Sequence, residues 1–420
     1  MRLLVWARDR FWLLPVVCAA LAAAAGVSLP VIDDFLLRSG SLPFLFGGGP
    51  EGARALLSAI ISSMISFTAL VFSITIVVLQ LTSSQFSPRV LRTFLRDRFN
   101  QLTLGVFVAT FVYAMTVLRS VRGTAETSFV PQLAVTMAFV LVFASVVVFL
   151  LYLHHTAQSI RVATIIGEIA RETRDVLDRR YPVDADADSP GAKTEVDVST
   201  PRVVAAVRPG VIQSIDVDAV ADTAARTGAT VEGLRALGEF VPAGAAVFRV
   251  WGGDVNDGRL LGALLLGKER SLDQDVGFGL RQLVDVATRA LSPGVNDPTT
   301  AVQVLDQLHD LLRRLAARPL PTRQVVRRDG RVVFTAPATG FSDFLDLVAD
   351  EIHHWGGDDP RMRARLRGLL ADVYTAARPE HRPLIAHKLA DWDELPPANV
   401  ELDLSPTDVG LRSDARPIGP

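Results

Sequence analysis

Four long stretches without a formal charge occupy the first 160 residues of this 420-residue chain, and none follows. They run Phe11 to Ile32, Ala55 to Pro88, Phe99 to Leu118, and Thr127 to Ile160. A helix needs about 20 apolar residues to cross a bilayer, and inside lipid each segment must satisfy its own backbone. The stretches therefore predict four membrane helices, at about 11–32, 55–84, 101–118 and 130–155, in a domain spanning 1–160.

The chain average, 49% hydrophobic and 21% charged, hides a division. The apolar residues concentrate in the first third, and about 260 residues with ordinary globular composition follow, enough for one or two cores. A net charge of -2 lacks the basic excess of a nucleic-acid binder. The single cysteine, Cys18, leaves no intrachain disulfide and no thiolate metal site. The first stretch has a second reading. Arg2, Arg8 and Arg10 precede an apolar run ending in Ala22 to Ala25, the pattern of a cleavable signal segment.

Basic residues in short loops stay on the cytoplasmic side. They cluster before the first stretch, between the second and third (Arg89, Arg92, Arg96, Arg98) and after the fourth (Arg161, Arg171, Arg174, Arg179, Arg180). The alternation predicts both chain ends inside and the large polar part in the cytoplasm.

The second helix differs from the others. Ser58, Ser62, Ser66, Ser73, Gln80 and Ser84 fall within an arc of roughly 80° at 100° per residue. Thr68, Thr75 and Thr82 form another line at seven-residue spacing. This pattern predicts an inner second helix and an outer, nearly all-aliphatic fourth. Small residues let helix backbones approach, and hydroxyls bond across the contact. The same stripe could line a water-filled path on an oligomer axis. One line would pack and the other would face water. No Asp, Glu, Lys or Arg lies within a window, which argues against ion-coupled transport and leaves passive conduction open. After the second helix, Ser87-Pro88 starts a short amphipathic segment on which Arg89, Arg92 and Arg96 meet lipid headgroups or ring a pore mouth.

Beyond the membrane, helix four is expected to continue over 161–181, with Val162, Ile166, Ile169, Thr173 and Val176 as a coiled-coil seam or a docking face. Residues 182–200 read as an acidic linker, and 396–420 as a disordered tail. Short apolar runs between Gly and Pro over 201–252 suggest a small β-rich, barrel-like subdomain. Residues 253–395 read as mainly helical, with an Asp329-Gly330 hairpin near 325–334. Val276, Leu280, Leu283, Val284, Ala287 and Leu291 mark one amphipathic helix. Ala301, Leu305, Leu308, Leu312 and Leu315 mark the next. The loop between them contains Asn296 and Asp297, a candidate ligand or interface loop with Asp273, Asp275, Asp285, Arg281 and Arg289 nearby. Capping explains Asp297 and Pro298 equally, and more simply.

No phosphate loop, nucleophile elbow, dinucleotide fingerprint or His-Glu-x-x-His occurs, so no enzyme, cofactor or metal is expected. His154-His155 and His353-His354 are adjacent pairs whose side chains diverge on a helix.

Several runs together carry a resemblance. They are Ser66-Phe67-Thr68-Ala69-Leu70-Val71-Phe72-Ser73, Gln80 through Arg89, Gly105 through Tyr113, Leu153-His154-His155, Phe278 through Leu283, and Arg289 through Pro298. They resemble an uncharacterised bacterial family of predicted membrane proteins built on a domain of unknown function. The resemblance spans roughly Leu13 to Leu395. It implies a multi-pass bacterial inner-membrane protein and brings no catalytic residue.

The expected architecture is a membrane α-helical fold, four transmembrane helices with both ends inside. An α+β cytoplasmic domain follows, with a small β-barrel-like part and a helical part. The functional expectation is a homo-oligomeric channel-like pore with a cytoplasmic regulatory domain. The alternative is a non-conducting scaffold or sensor whose cytoplasmic domain binds another protein. The bilayer and further copies of the chain are the expected partners; nucleic acid is not.

Overall fold

The computed structural model describes residues 12–36, 45–85, 98–123, 128–159, 161–183 and 200–393. Contacts divide it into two units, Met1–Glu168 and Ile169–Pro420. The basic N-terminal residues, the segment with Arg89, Arg92 and Arg96, most of the acidic linker and the tail from Pro396 lie outside the described residues.

The first unit holds four long helices: α1 (Leu13–Leu36), α2 (Pro50–Gln85), α3 (Arg98–Leu118) and α4 (Gln132–Ser159). A two-residue strand pair, β1 (Arg122–Gly123) and β2 (Ser128–Phe129), joins α3 to α4. Each helix contains a stretch long and apolar enough to span a membrane. Thus α2, at 36 residues, reaches about 54 Å, well beyond a hydrocarbon core of about 30 Å.

The expected order of inner and outer helices is corrected. The inner helix is α3, which packs against α1, α2 and α4. Of its apolar window 44% is buried, against 22% for α2. Glycine explains the tightest pairing. A Cβ on Gly26 of α1 would sit 2.8 Å from Thr116 Cβ, and one on Gly105 of α3 would sit 3.1 Å from Cys18 Sγ. Only glycine lets α1 and α3 approach so closely. Ala22 and Ala25, in the run that reads as a cleavage site, pack against this core. At its centre Phe67, Phe107 and Phe149 meet from α2, α3 and α4, with ring centroids 5.0–6.4 Å apart.

The expected continuous extension of helix four is two helices: α4 ends at Ser159 and α5 runs Val162–Arg180. From Ile169 onward α5 belongs to the second unit. There Ile169, Thr173, Val176 and Leu177 are buried, and Thr173 sits over Gly279. This is the docking face, one of the two readings of that stripe.

The second unit is α+β. Its first sheet takes the order β3 (Arg202–Ala205), β7 (Ala246–Trp251), β5 (Thr230–Gly233), β10 (Arg331–Pro337), β9 (Arg323–Arg328). Only β5 and β10 pair in parallel; the other neighbours are antiparallel. A second sheet takes the order β6 (Phe240–Val241), β4 (Gly210–Ile215), β8 (Leu264–Gly267). The barrel expectation is corrected: neither sheet closes. The hairpin read at 325–334 supplies the partners that extend β5, so distant pairing opens the sheet outward. Asp329 (φ 52) and Gly330 (φ 76) make its tight turn, as their residue types dictate. Between the strands lie α6 (Val217–Thr227), capped by Asp216, and α7 (Asp257–Gly262), capped by Asn256.

The helical part contains α8 (Val276–Leu291), α9 (Pro298–Ala316), α10 (Phe341–Gly356), α11 (Pro360–Ala376) and α12 (Arg382–Asp393). The apolar stripe read on α9 is buried throughout.

Candidate functional site in the membrane helices

Polar side chains on apolar helices are costly unless partnered, so their positions mark the places where a membrane unit can act. Two sets stand out, on opposite sides of the packing.

The first set is the α2 stripe. Ser58, Ser62, Ser66, Ser73 and Gln80 are all exposed on the unit's outer surface. Ser84 lies within α2, and its side chain is outside the described residues. Ala55, Ala59 and Ala69 are exposed with them, so one face of α2 presents only Ala and Ser from Ala55 to Ser73, about 27 Å of helix. Ser66 donates its hydroxyl to the Ser62 carbonyl at 3.2 Å. That bond satisfies the hydroxyl within its own helix and keeps the face smooth.

Thr68 and Thr75 of the threonine line are half-buried, and the side chain of Thr82 is outside the described residues. Thr75 is half-buried and its Oγ1 lies 2.9 Å from the Tyr152 hydroxyl of α4. Tyr152 also donates to the Val71 carbonyl at 3.3 Å. Thr68 returns its hydroxyl to the Met64 carbonyl at 2.7 Å. Through Thr75 this side of α2 packs against α4.

The second set lies on the buried face of α3 and was not singled out in the sequence. Asn100, Gln101, Thr103, Thr110 and Tyr113 are all buried. Thr110 Oγ1 meets Ser145 Oγ of α4 at 3.0 Å, and Tyr113 donates to the Ala134 carbonyl at 3.0 Å. Asn100 is 3% exposed, and neither its Oδ1 nor its Nδ2 has a hydrogen-bond partner among the described residues. A helical-wheel reading of Asn100, Thr103, Thr110 and Tyr113 was the available signal. It was obscured because the serines of α2 outnumber them. Asp33 closes the set at the far end of α1, accepting from Leu133 N–H at 2.8 Å.

The α8–α9 loop resolves as structure. Asn296 adopts the left-handed region (φ 48), which asparagine tolerates. Asp297 caps α9, accepting from Thr300 N–H at 3.1 Å and from the Thr300 hydroxyl at 2.6 Å. The hydroxyl bond from Thr300 is the largest influence holding the Asp297 carboxyl below its ordinary range. Asp275 caps the opposite end of α8, where Arg270 grips it with bonds of 2.9 and 3.0 Å. Asp273 accepts from Ser271 nearby at 2.6 Å. Neither acid therefore joins the loop. Arg281 pairs with Glu351 of α10. His155 lies against Phe99 in a tilted ring contact, and His354 meets Trp355 edge-on.

The family model for "Predicted membrane protein (DUF2254)" matches residues 8–372. An uncharacterized protein of Mycobacterium tuberculosis is 36% identical over 378 residues, covering 86% of this chain and 71% of that protein. An uncharacterized protein of Mycobacterium bovis matches to the same extent, 36% over 378 residues. No solved structure matches the chain. With four apolar spans followed by an α+β unit, and a match over most of its length, the chain belongs to the DUF2254 family of predicted membrane proteins.

Proposed function

We propose that this protein self-associates in the bacterial inner membrane through α2, forming a channel-like pore with the α+β unit as its cytoplasmic regulatory domain. One observation carries the reading: the Ala and Ser face of α2 is left uncovered by the chain's own helices. Lipid gains nothing over aliphatic side chains from such a face, whereas another helix can approach it closely. The loop arginines support a cytoplasmic placement of both chain ends.

The non-conducting reading also has an observation behind it. Ser66 spends its hydroxyl proton on Ser62, which suits a dry contact better than a wetted wall. In that case α2 joins copies without a path between them, and the α+β unit binds a separate protein.

Cysteine crosslinking in native membranes tests the association. In a Cys18→Ser background, Ser62→Cys should give covalent dimers on mild oxidation. Leu21→Cys, 66% exposed on α1, should give far fewer. Equal yields from the two positions would remove the α2 interface. Ion flux through liposomes holding the crosslink-competent protein then separates pore from scaffold.

A further inference from the structure

The chain enters the α+β unit at Ile169, eleven residues after Gln158, the last residue of the fourth candidate span. Eleven residues extend to about 40 Å at most, so the point of entry is tethered close to the bilayer however the two units are arranged. From there α5 runs parallel to α9. Arg174 of α5 donates to Asp310 at 2.6 Å, and further along Arg318 of the α9 end donates to Asp178 at 2.5 Å. Each step toward the C-terminus of α5 is a step toward the C-terminus of α9. Ile169 therefore lies toward the N-terminal end of α9, the end at which the α8–α9 loop sits.

The α10–α11 corner meets that end of the helical part. A Cβ on Gly356 would sit 3.0 Å from Leu291 Cδ1 of α8 and 3.4 Å from Met362 Cβ of α11. Both turns are held by their own bonds. Val295 and Asn296 donate their N–H groups to the Ser292 carbonyl at 3.0 and 2.9 Å, and Arg363 donates twice to the Gly357 carbonyl, at 3.0 and 2.6 Å. What the turns present outward is apolar and basic. Val295 is 51% exposed and Trp355 49%, with Pro293, His354, Pro360 and Arg361 exposed around them. Asp297 and Asp359 cap α9 and α11, where the helix dipole offsets a negative charge, and Asp358 is exposed beside them.

We propose that this end of the α+β unit, the α8–α9 loop with the α10–α11 corner, docks on the anionic lipid surface of the bilayer that carries the four spans. Val295 and Trp355 enter the headgroup layer, and Arg361 pairs with lipid phosphate. Tryptophan is enriched at headgroup level, and cationic side chains beside it are drawn to anionic lipid. Two exposed apolar side chains are few for a stable protein interface, which buries about 800 Å² per partner. A tethered unit needs less, because the short tether sets a high effective concentration at the surface. This inference does not depend on the α2 association.

Fluorescence quenching of the full-length protein in nanodiscs tests it. In a Cys18→Ser background, Val295→Cys and Val207→Cys each carry a bimane label; Val207, 82% exposed between β3 and β4, is the control. The lipids have acyl chains brominated close to the headgroup, with or without phosphatidylglycerol. Emission should fall for the Val295→Cys label and not for the Val207→Cys label. The loss should shrink without phosphatidylglycerol and when Arg361→Glu is added. Equal loss at the two positions, or none for Val295→Cys, overturns the proposal. So does a loss indifferent to both phosphatidylglycerol and Arg361→Glu. Shielding of the Val295→Cys label from aqueous iodide without bromine quenching overturns it as well, since a protein then covers the corner. Amide exchange of the wild-type protein needs no variant to fold: residues 294–297 and 354–359 should exchange more slowly with phosphatidylglycerol than without it, and equal rates there overturn the proposal.

Discussion

On α2 the side chains of Ser58, Ser62, Ser66 and Ser73 face away from the other helices, whereas on α3 those of Asn100, Thr103, Thr110 and Tyr113 face into them. Both helices meet the same problem, polar groups in an apolar solvent, and meet it differently. On α3 two of them reach other helices, Thr110 to Ser145 and Tyr113 to the Ala134 carbonyl, while Thr103 returns its hydroxyl to the Phe99 carbonyl of its own helix. On α2, Ser66 uses its own helix. A polar group bonded across helices holds the chain's own fold together. An exposed one bonded to its own helix, as Ser66 is, leaves a narrow surface free for something else. The polar stripe that is easiest to read is therefore the one the chain's own core does not need.

Helix starts show a similar contrast. In the α+β unit the caps are local: Asp275 serves Phe278, Asp297 serves Thr300, Asp359 serves Arg361 and Met362. In the membrane unit α4 is capped by Asp33, 100 residues away from Leu133.

The largest expected effect lies on the inner side. Gly26→Val forces a side chain against Thr116 and the Tyr113 carbonyl, 2.8 and 3.3 Å from the new Cβ. It should cost about 2–3 kcal/mol or prevent folding, read by unfolding in detergent mixtures. If Gly26→Val were as stable as wild type, α1 and α3 would not be in this contact.

Next is the link between the two helices' neighbours. Tyr152→Phe, Thr75→Val and the double variant form a cycle, with an expected coupling of about 0.6 kcal/mol and at most about 1.7 kcal/mol. Zero coupling would mean that the threonine line of α2 does not pack through its hydroxyls.

At a local cap, Asp297→Ala should cost about 1 kcal/mol. Thr300's hydroxyl bond, with backbone bonds beside it, holds Asp297's pKa below the ordinary value. A lowered folded-state pKa means the contribution is complete above the ordinary carboxylate range and fades as pH falls through the lowered value. The wild-type and Asp297→Ala proteins should therefore converge in stability on acidification. A gap that widened toward acid would contradict the sign.

The smallest effect tests the outer side. Ser66→Ala should change the stability of the isolated chain by less than about 0.5 kcal/mol, since Ser66 faces outward and, among the described residues, bonds to Ser62 of its own helix. A loss above 1 kcal/mol in dilute detergent would place Ser66 in the chain's own core.

Much of the fold was legible because it is local. Charge-free length marked the four spans. The period of Ala301, Leu305, Leu308, Leu312 and Leu315 marked α9 and its buried face. Asp329-Gly330 marked the hairpin. The site was less legible. The α2 stripe was visible as a stripe, but its outward direction was not. The buried face of α3 has no polar opposite face to set it off, because lipid accepts the same aliphatic residues that a core does. The β-rich part was read as barrel-like because β9 and β10, which extend its sheet, lie about a hundred residues downstream of β5.

The sequence by itself determined that four segments belong in a membrane, that an α+β unit follows, and where most helices of that unit begin. Those follow from solvent preference and from hydrogen bonds made within a few residues. Only the tertiary structure decided that α3 is the inner helix, that the serines of α2 face outward, and that Asp33 reaches α4. The physical reason is that each depends on a close approach between distant segments. Gly26 and Gly105 permit one such approach, and Asp33 and Tyr113 meet at Ala134 in another. A periodic pattern fixes the faces of one helix, but only the crossing of helices decides which face is covered.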